Sequence, residues 1–342
     1  GYDWTSSYLE SYINNKGVDP ANINNVFKFS RAWYSELERR NGDPSYEKWR
    51  VNPSNNRYEY FGNTNWYKIF YKDYTTGHQH NLSITGGSDK ASYYLSGRFF
   101  HQDGIYNAGD ERYNQYNVLG KGTVQVTKWL TVENTTSFMS RFHHEPMLTT
   151  GDQSFWMTPV RMFNHQGYPM TLEKNPDGTW TEAAVYLGWA GFVEGHTWME
   201  KDKFDLTNRT KFSLNLIKDV LVGEFDVSYY RNHTELHRLA VPYTYYTGPE
   251  SYGERPATSW YSESYSNYER IASNATLTWT PKLGENNWLK VMGGWNLEDE
   301  THLATYTRNT DVVDPDHPSL SLTSGELPIV TGNGSNSWSV VG

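Results

Sequence analysis

The chain of 342 residues contains no cysteine, which removes disulfide frameworks and thiolate metal sites and is compatible with an oxidising compartment. It also lacks a long apolar run, and its mean hydropathy is −0.77, so the sequence offers no transmembrane helix. A membrane barrel stays open, because barrel strands show lipid only at every second residue. The net charge of −9 argues against a nucleic-acid partner. No Gly-rich phosphate loop and no serine nucleophile elbow is present. Nothing at Gly1 reads as a signal peptide, which a mature exported protein would have lost.

What the chain has in excess is aromatic side chains. They make up 16% of residues, with 14 Trp and 27 Tyr against a hydrophobic content of only 37%. Rings of this kind suit the aromatic girdles of a barrel at the two membrane boundaries, and Tyr93, Trp129, Trp279, Trp288 and Trp295 fall near predicted strand ends.

Four times, two alternating segments of about ten residues are joined by a short turn and followed by a longer connection. The predicted hairpins span 78–100, 112–140, 206–233 and 267–297. In Phe212-Ser213-Leu214-Asn215-Leu216 one face is apolar and the other polar. In the strand that returns from it, Glu224, Asp226 and Ser228 share the face opposite Phe225, Val227 and Tyr229. Carboxylates so placed need water, so these three are read as lining a wet lumen. A soluble sandwich could also hold them on its solvent side. Loop asymmetry favours the barrel: turns within hairpins are short, whereas 141–205, 234–266 and 298–337 are long, and a sandwich has loops at both ends. The predicted fold is therefore all-β, an antiparallel transmembrane β-barrel segment with short periplasmic turns, long extracellular loops and short helices near the N-terminus. The alternative is a soluble carbohydrate-binding β-sandwich at the cell surface.

Residues 1–77 read as a loop region with short helices leading into the partial barrel of 78–342. Apolar residues Val26, Phe29, Trp33 and Leu37 recur at helical spacing between Asp19 and Arg40, with Asp19 as N-cap and Pro20 at the first helical position. A second helix is predicted over Thr5 to Lys16, and Asn41 to Tyr60 reads as irregular. At the other end, Ser335 to Gly342 alternates like the start of a strand, so both chain ends read as cut.

Thr64-Asn65-Trp66, His80-Asn81-Leu82-Ser83-Ile84-Thr85-Gly86-Gly87, Tyr94-Leu95-Ser96-Gly97, Asp103-Gly104-Ile105 and Arg112-Tyr113-Asn114 resemble, in order, the early barrel region of the SusC/RagA family of TonB-dependent outer-membrane transporters of Bacteroidota. Two departures stand out. The family usually has Asp at the position of Asn65, and Tyr113, Tyr116 and Val118 cannot share one face without a bulge. The resemblance implies a bacterial outer-membrane barrel of about 22 strands with a plugged lumen. It further implies a SusD-like surface lipoprotein as lid, and energy from TonB through a region that precedes the barrel and is absent from this chain. No cofactor is expected.

Substrate contacts are expected in the long loops, where Phe155, Trp156, Trp180, Trp189 and Trp198, then Tyr243, Tyr245, Tyr246, Tyr252, Trp260 and Tyr261, could stack on sugar rings. Packing of the loops is the other use for them. The expected function is uptake of oligosaccharides, with peptide import by the same family as the alternative. No enzymatic activity is expected. Glu224 and Asp226 lie roughly 7 Å apart on a strand, a spacing two glycosidase carboxylates could use, but lumen-lining acids explain them as well. His143-His144-Glu145 and His101 are read as solvated loop residues rather than metal ligands, since adjacent histidines on a strand point to opposite faces.

Overall fold

The computed structural model describes residues 1–23, 28–148, 162, 167–284 and 286–342. Its first two helices are α1, Tyr2–Lys16, and α2, Arg31–Asn41. Helix α2 begins later than predicted. Ser30 caps it, its Oγ accepting from the Trp33 N–H at 3.2 Å, while Asp19 instead takes the Arg31 guanidinium at 2.6 Å. Pro20 therefore heads no helix, Val26 lies outside the described residues, and Phe29 only flanks the small core that Trp33 and Leu37 fill. The stretch expected to be irregular contains a hairpin of β1, Trp49–Asn52, and β2, Arg57–Tyr60. Asn56 turns it at φ 53°, a left-handed conformation Asn tolerates. Arg40 of α2 donates to the Glu47 and Trp49 carbonyls at its base.

Helix α3, Trp66–Phe70, leads to four strands, β3 Gly77–Ser88, β4 Ala91–Asp103, β5 Arg112–Gln125 and β6 Leu130–Pro146. Two short helices follow, α4 Glu182–Tyr186 and α5 Trp189–Glu194, and then β7 Trp198–Ile217 and β8 Leu221–Ala240. A small hairpin, β9 Tyr243–Gly248 with β10 Ser251–Arg255, precedes β11 Trp260–Trp279, β12 Val291–Thr310 and β13 Ile329–Val341.

Nine of these strands form one antiparallel sheet in the order β13-β12-β11-β8-β7-β6-β5-β4-β3, with β9 and β10 set apart as their own pair. Each strand lies beside its chain neighbour, as repeated hairpins require. Register is continuous across β3 to β6, so β5 needs no bulge: Tyr113 falls on one face, Tyr116 and Val118 on the other. The irregularity sits instead in β7, between Asn215 and Ile217, beside a tight turn in which Asp219 has φ 60°.

The strands are longer than the alternation predicts. β7, β8, β11 and β12 each run 20 residues, so much of what reads as loop in 141–205, 234–266 and 298–337 is strand. The reason is chemical. Beyond Tyr229 the face that carries Phe225 and Val227 turns polar, with Arg231, His233, Glu235 and His237, and the apolar period that marks a strand disappears while the hydrogen-bond ladder continues.

The main core lies at the far end of these strands. Trp66 and Phe70 of α3, Tyr106 from the β4–β5 connection, Val185, Leu187, Trp189 and Phe192 from the α4–α5 segment, and Leu239, Tyr243 and Tyr261 pack together. Asn65 caps α3 by accepting from the Lys68 N–H at 3.2 Å, a task Asn performs as well as Asp. At the other end of α3 the Asn107 amide donates to the carbonyls of Lys68, Ile69 and Tyr71. Gly188 opens α5 at φ 85°, where a Cβ would meet Leu148 at 2.5 Å.

Phe70 is fully buried, with its ring 4.7 Å from that of Trp189. Phe70→Ala should cost about 3–5 kcal/mol, read as a lower denaturant midpoint when unfolding is followed by Trp fluorescence.

Candidate functional site: the concave face and its rim

Because side chains alternate along each strand, the register assigns every residue of the sheet to one of two faces. One face is concave and polar. Across β3 to β8 it forms an open hollow of about 770 Å³ lined in part by Asn81, Ser96, Arg98, Asn117, Asp205 and Tyr230. Glu224, Asp226 and Ser228 lie on this face. Asp226, 8% exposed, accepts from the Arg209 guanidinium at 2.7 Å and from the Asn274 amide at 3.1 Å, and Asn274 in turn accepts from Asn296 at 2.7 Å. Glu224 pairs with Lys211 at 2.6 Å. Further along, Asp205 takes Arg141 at 2.5 Å, the Tyr230 hydroxyl at 2.8 Å and the Asn232 amide at 2.7 Å. Ser228 donates to the Ala272 carbonyl. The face thus carries bonded groups spread over β6, β7, β8, β11 and β12, with the carboxylates of Asp205, Glu224 and Asp226 each matched to a cation.

The opposite face is apolar and, among the described residues, uncovered. Leu82 is 80% exposed, and Ile84, Leu95, Val118, Val227, Ile271, Leu277, Trp338 and Val340 are exposed as well. On β8 the apolar outward positions are Leu221, Phe225, Val227 and Tyr229, and on β11 they are Trp279, Leu277, Ala275 and Ile271. Both series end at the Arg231–Glu269 ion pair. The band therefore occupies about nine residues of strand, the length a tilted strand needs to cross a hydrocarbon layer. Trp129, Trp279 and Trp288 sit exposed at its turn end, while Tyr93 and Trp295 lie within it on the outer face. One polar patch interrupts the band, its side chains bonded to one another: Asn134 donates to Thr210 at 2.8 Å, Thr136 to Asn134 at 3.0 Å, and Asn208 to Thr136 at 2.7 Å.

The rim corrects the expectation of aromatic stacking sites. Trp180, Trp189, Tyr243, Trp260 and Tyr261 are buried, and their polar atoms or ring faces are engaged within the protein. The Trp180 and Trp189 indoles donate to Glu194 and Glu173, the Tyr243 hydroxyl to Thr197, Tyr261 bonds His237, and Arg308 covers Trp260. These rings hold the loops together. Trp198, beside His144, is half-buried, as are Tyr245 and Tyr246, and only Tyr252 stands well exposed. Phe155 and Trp156 lie outside the described residues.

The histidines also differ from expectation. His143 and His144 belong to β6, not to a loop, and face opposite ways. His144 meets Glu200 at 3.2 Å. His143 shares the concave face with Glu145, and Glu111 joins them from the β4–β5 connection, with one ligand atom from each residue within 4.8 Å of the others. No local spacing could reveal this trio, because Glu111 comes from across the sheet.

Glu182, the first residue of α4, is held above the ordinary glutamate range by burial, with Arg57 and Arg255 acting in the opposite direction. The folded protein therefore binds this proton more tightly than the unfolded chain. Stability should rise as pH falls from neutral through the raised value towards 4.5. Glu182→Gln should remove that part of the rise and be more stable than the parent at neutral pH, as denaturant unfolding at pH 7 and pH 5 would show.

No family model and no curated protein matches the chain. Among solved structures, a chain of the RagAB peptide transporter superposes with a TM-score of 0.62 at 14% identity, over 90% of this chain and 34% of that one. The RagAB peptide importer in its "open-open" state gives 0.63 at 14% identity, over 98% of this chain and 36% of that one. The "closed-closed" state gives 0.63 over 87% and 32%. This chain thus spans about a third of the length of the chains it matches, and it has the fold of a wall segment of such a β-barrel.

Proposed function

We propose that this chain forms part of a TonB-dependent outer-membrane importer of the SusC/RagA type, working in Bacteroidota with a SusD-like surface lipoprotein as its lid. One observation carries the reading: a single β-layer with an apolar band on its convex face and bonded charges on its concave face. A soluble sandwich needs a second sheet over the apolar side; among the described residues nothing covers it. Lipid outside and water inside account for both faces. In the whole protein further strands would close the wall.

Oligosaccharides and peptides are the two candidate substrate classes. The glycan reading rested on loop aromatics, and burial of Trp180, Trp189, Tyr243, Trp260 and Tyr261 removes most of its support. The similar solved structures are of a peptide transporter. Peptide is therefore the class we favour. Catalysis is not part of the proposal, since Glu224 and Asp226 are each tied to a cation and neither is left as a free acid or base.

The test is to isolate the full-length protein from its host's outer membranes in mild detergent and identify what remains bound. A co-purifying lipoprotein and bound peptides support the proposal in full, and bound oligosaccharide would return the glycan class. Extraction without detergent, with no lipoprotein, would overturn it. Val227→Arg on the apolar band should lower the stability of the lipid-folded protein by about 2–4 kcal/mol, whereas on a water-exposed sheet the same change would cost within about 0.5 kcal/mol.

A further inference from the structure

We propose that Glu111, His143 and Glu145 form a binding site for a divalent cation of the zinc type at the rim of the concave face, fastening the β4–β5 connection to β6. The site lies on the polar side, next to the loop core and beyond the apolar band, so water and ions reach it. Its three donors come from two places distant in sequence. His143 and Glu145 are two apart on one face of β6, and Glu111 precedes β5.

The geometry is held from several sides. Glu111 accepts from the Ile105 N–H through Oε2 at 2.8 Å, which fixes its carboxylate and leaves lone pairs on both oxygens. The His143 ring meets the edge of Tyr113 with centroids 5.9 Å apart. The closest approach of His143 Nε2 to Glu145 is 3.8 Å, too long for a hydrogen bond. The donor atoms therefore surround a common point rather than bonding one another. They lie within 4.8 Å of each other. Zinc bonds of about 2.0–2.2 Å would draw them to separations of roughly 3.3–3.6 Å, within reach of side-chain rotation in residues that are partly exposed.

Charge supports the same reading. Among the described residues neither Glu111 nor Glu145 has a Lys or Arg within 4.0 Å, in contrast to Asp205, Glu224, Asp226 and Glu298, which all do. Two carboxylates and an imidazole, with water as the fourth ligand, are a donor set zinc accepts. Calcium calls for six to eight oxygens and no imidazole.

The experiment uses the full-length protein in detergent, stripped with chelator and dialysed against Zn²⁺ alone, with bound metal measured by mass spectrometry. His143→Ala and Glu145→Gln are compared with the parent, and His144→Ala, on the opposite face, is the control. Zn²⁺ should bind at this site with one equivalent that both variants lose or hold at least about tenfold more weakly, and that the control keeps. Zn²⁺ should also slow proteolysis within 103–112 in the parent but not in Glu145→Gln. The parent binding no zinc, or Glu145→Gln retaining it with unchanged stoichiometry and affinity, would overturn the proposal. Glu145→Gln keeps the side chain's shape, so the test stands even if His143→Ala does not fold.

Discussion

A one-layer sheet survives only if its backbone asks nothing of its surroundings. Here the ladder runs without a break from β3 through β13 save for the single irregularity in β7, so in the interior of the sheet N–H and C=O groups are matched by neighbouring strands. With the backbone satisfied, the two faces are free to serve opposite solvents. This is the condition for crossing a hydrocarbon layer, and the rest of the molecule depends on it: the uncovered apolar band, the charged concavity, and a loop core confined to one end.

The polar residues respect the same constraint. On the outer face Asn134, Thr136, Asn208 and Thr210 bond each other, so these side chains meet part of their hydrogen-bonding need among themselves. On the inner face the carboxylates of Asp205, Glu224 and Asp226 are each paired, although water would tolerate them unpaired. Pairing there does a different job. Cations and anions alternate across neighbouring strands, and a shift of one residue in register would send these charges to the apolar face. The inner network and the outer band thus specify the same register from opposite sides, which is consistency between independent levels of structure.

The hairpin rhythm, the two-faced strands and the positions of Glu224, Asp226 and Ser228 were legible because alternation is a local property with a direct physical cause. Strand tops were not legible, since above Tyr229 the outward residues become as polar as the inward ones and the period vanishes. The start of α2 was misread because Ser30 and Asp19 are both good caps, and the choice between them was made by Arg31, which occupies Asp19. The loop aromatics could be counted but not placed. A Trp that stacks on a ligand and a Trp that fills a core look the same in sequence, and the difference lay in partners such as Glu194 and Glu173, brought close by folding. The Glu111–His143–Glu145 trio failed to show for the same reason.

Those buried rings account for one share of the chain's Trp and Tyr, the share at the rim. Among the described residues the rim has only the two-stranded β9–β10 pair beside it, and its helices are short, α4 and α5 having five and six residues, too few to be stable by themselves. Their order must come from packing. Large rings give the most buried area per residue, and the N–H or O–H of each can be matched to a nearby acceptor, as with Trp189 on Glu173 and Tyr243 on Thr197. Leu239 and Tyr261, at the far ends of β8 and β11, belong to the same core, so the loops are welded to the strand tops rather than draped over them. A solute approaching the concave face would meet a platform whose shape the sheet itself maintains.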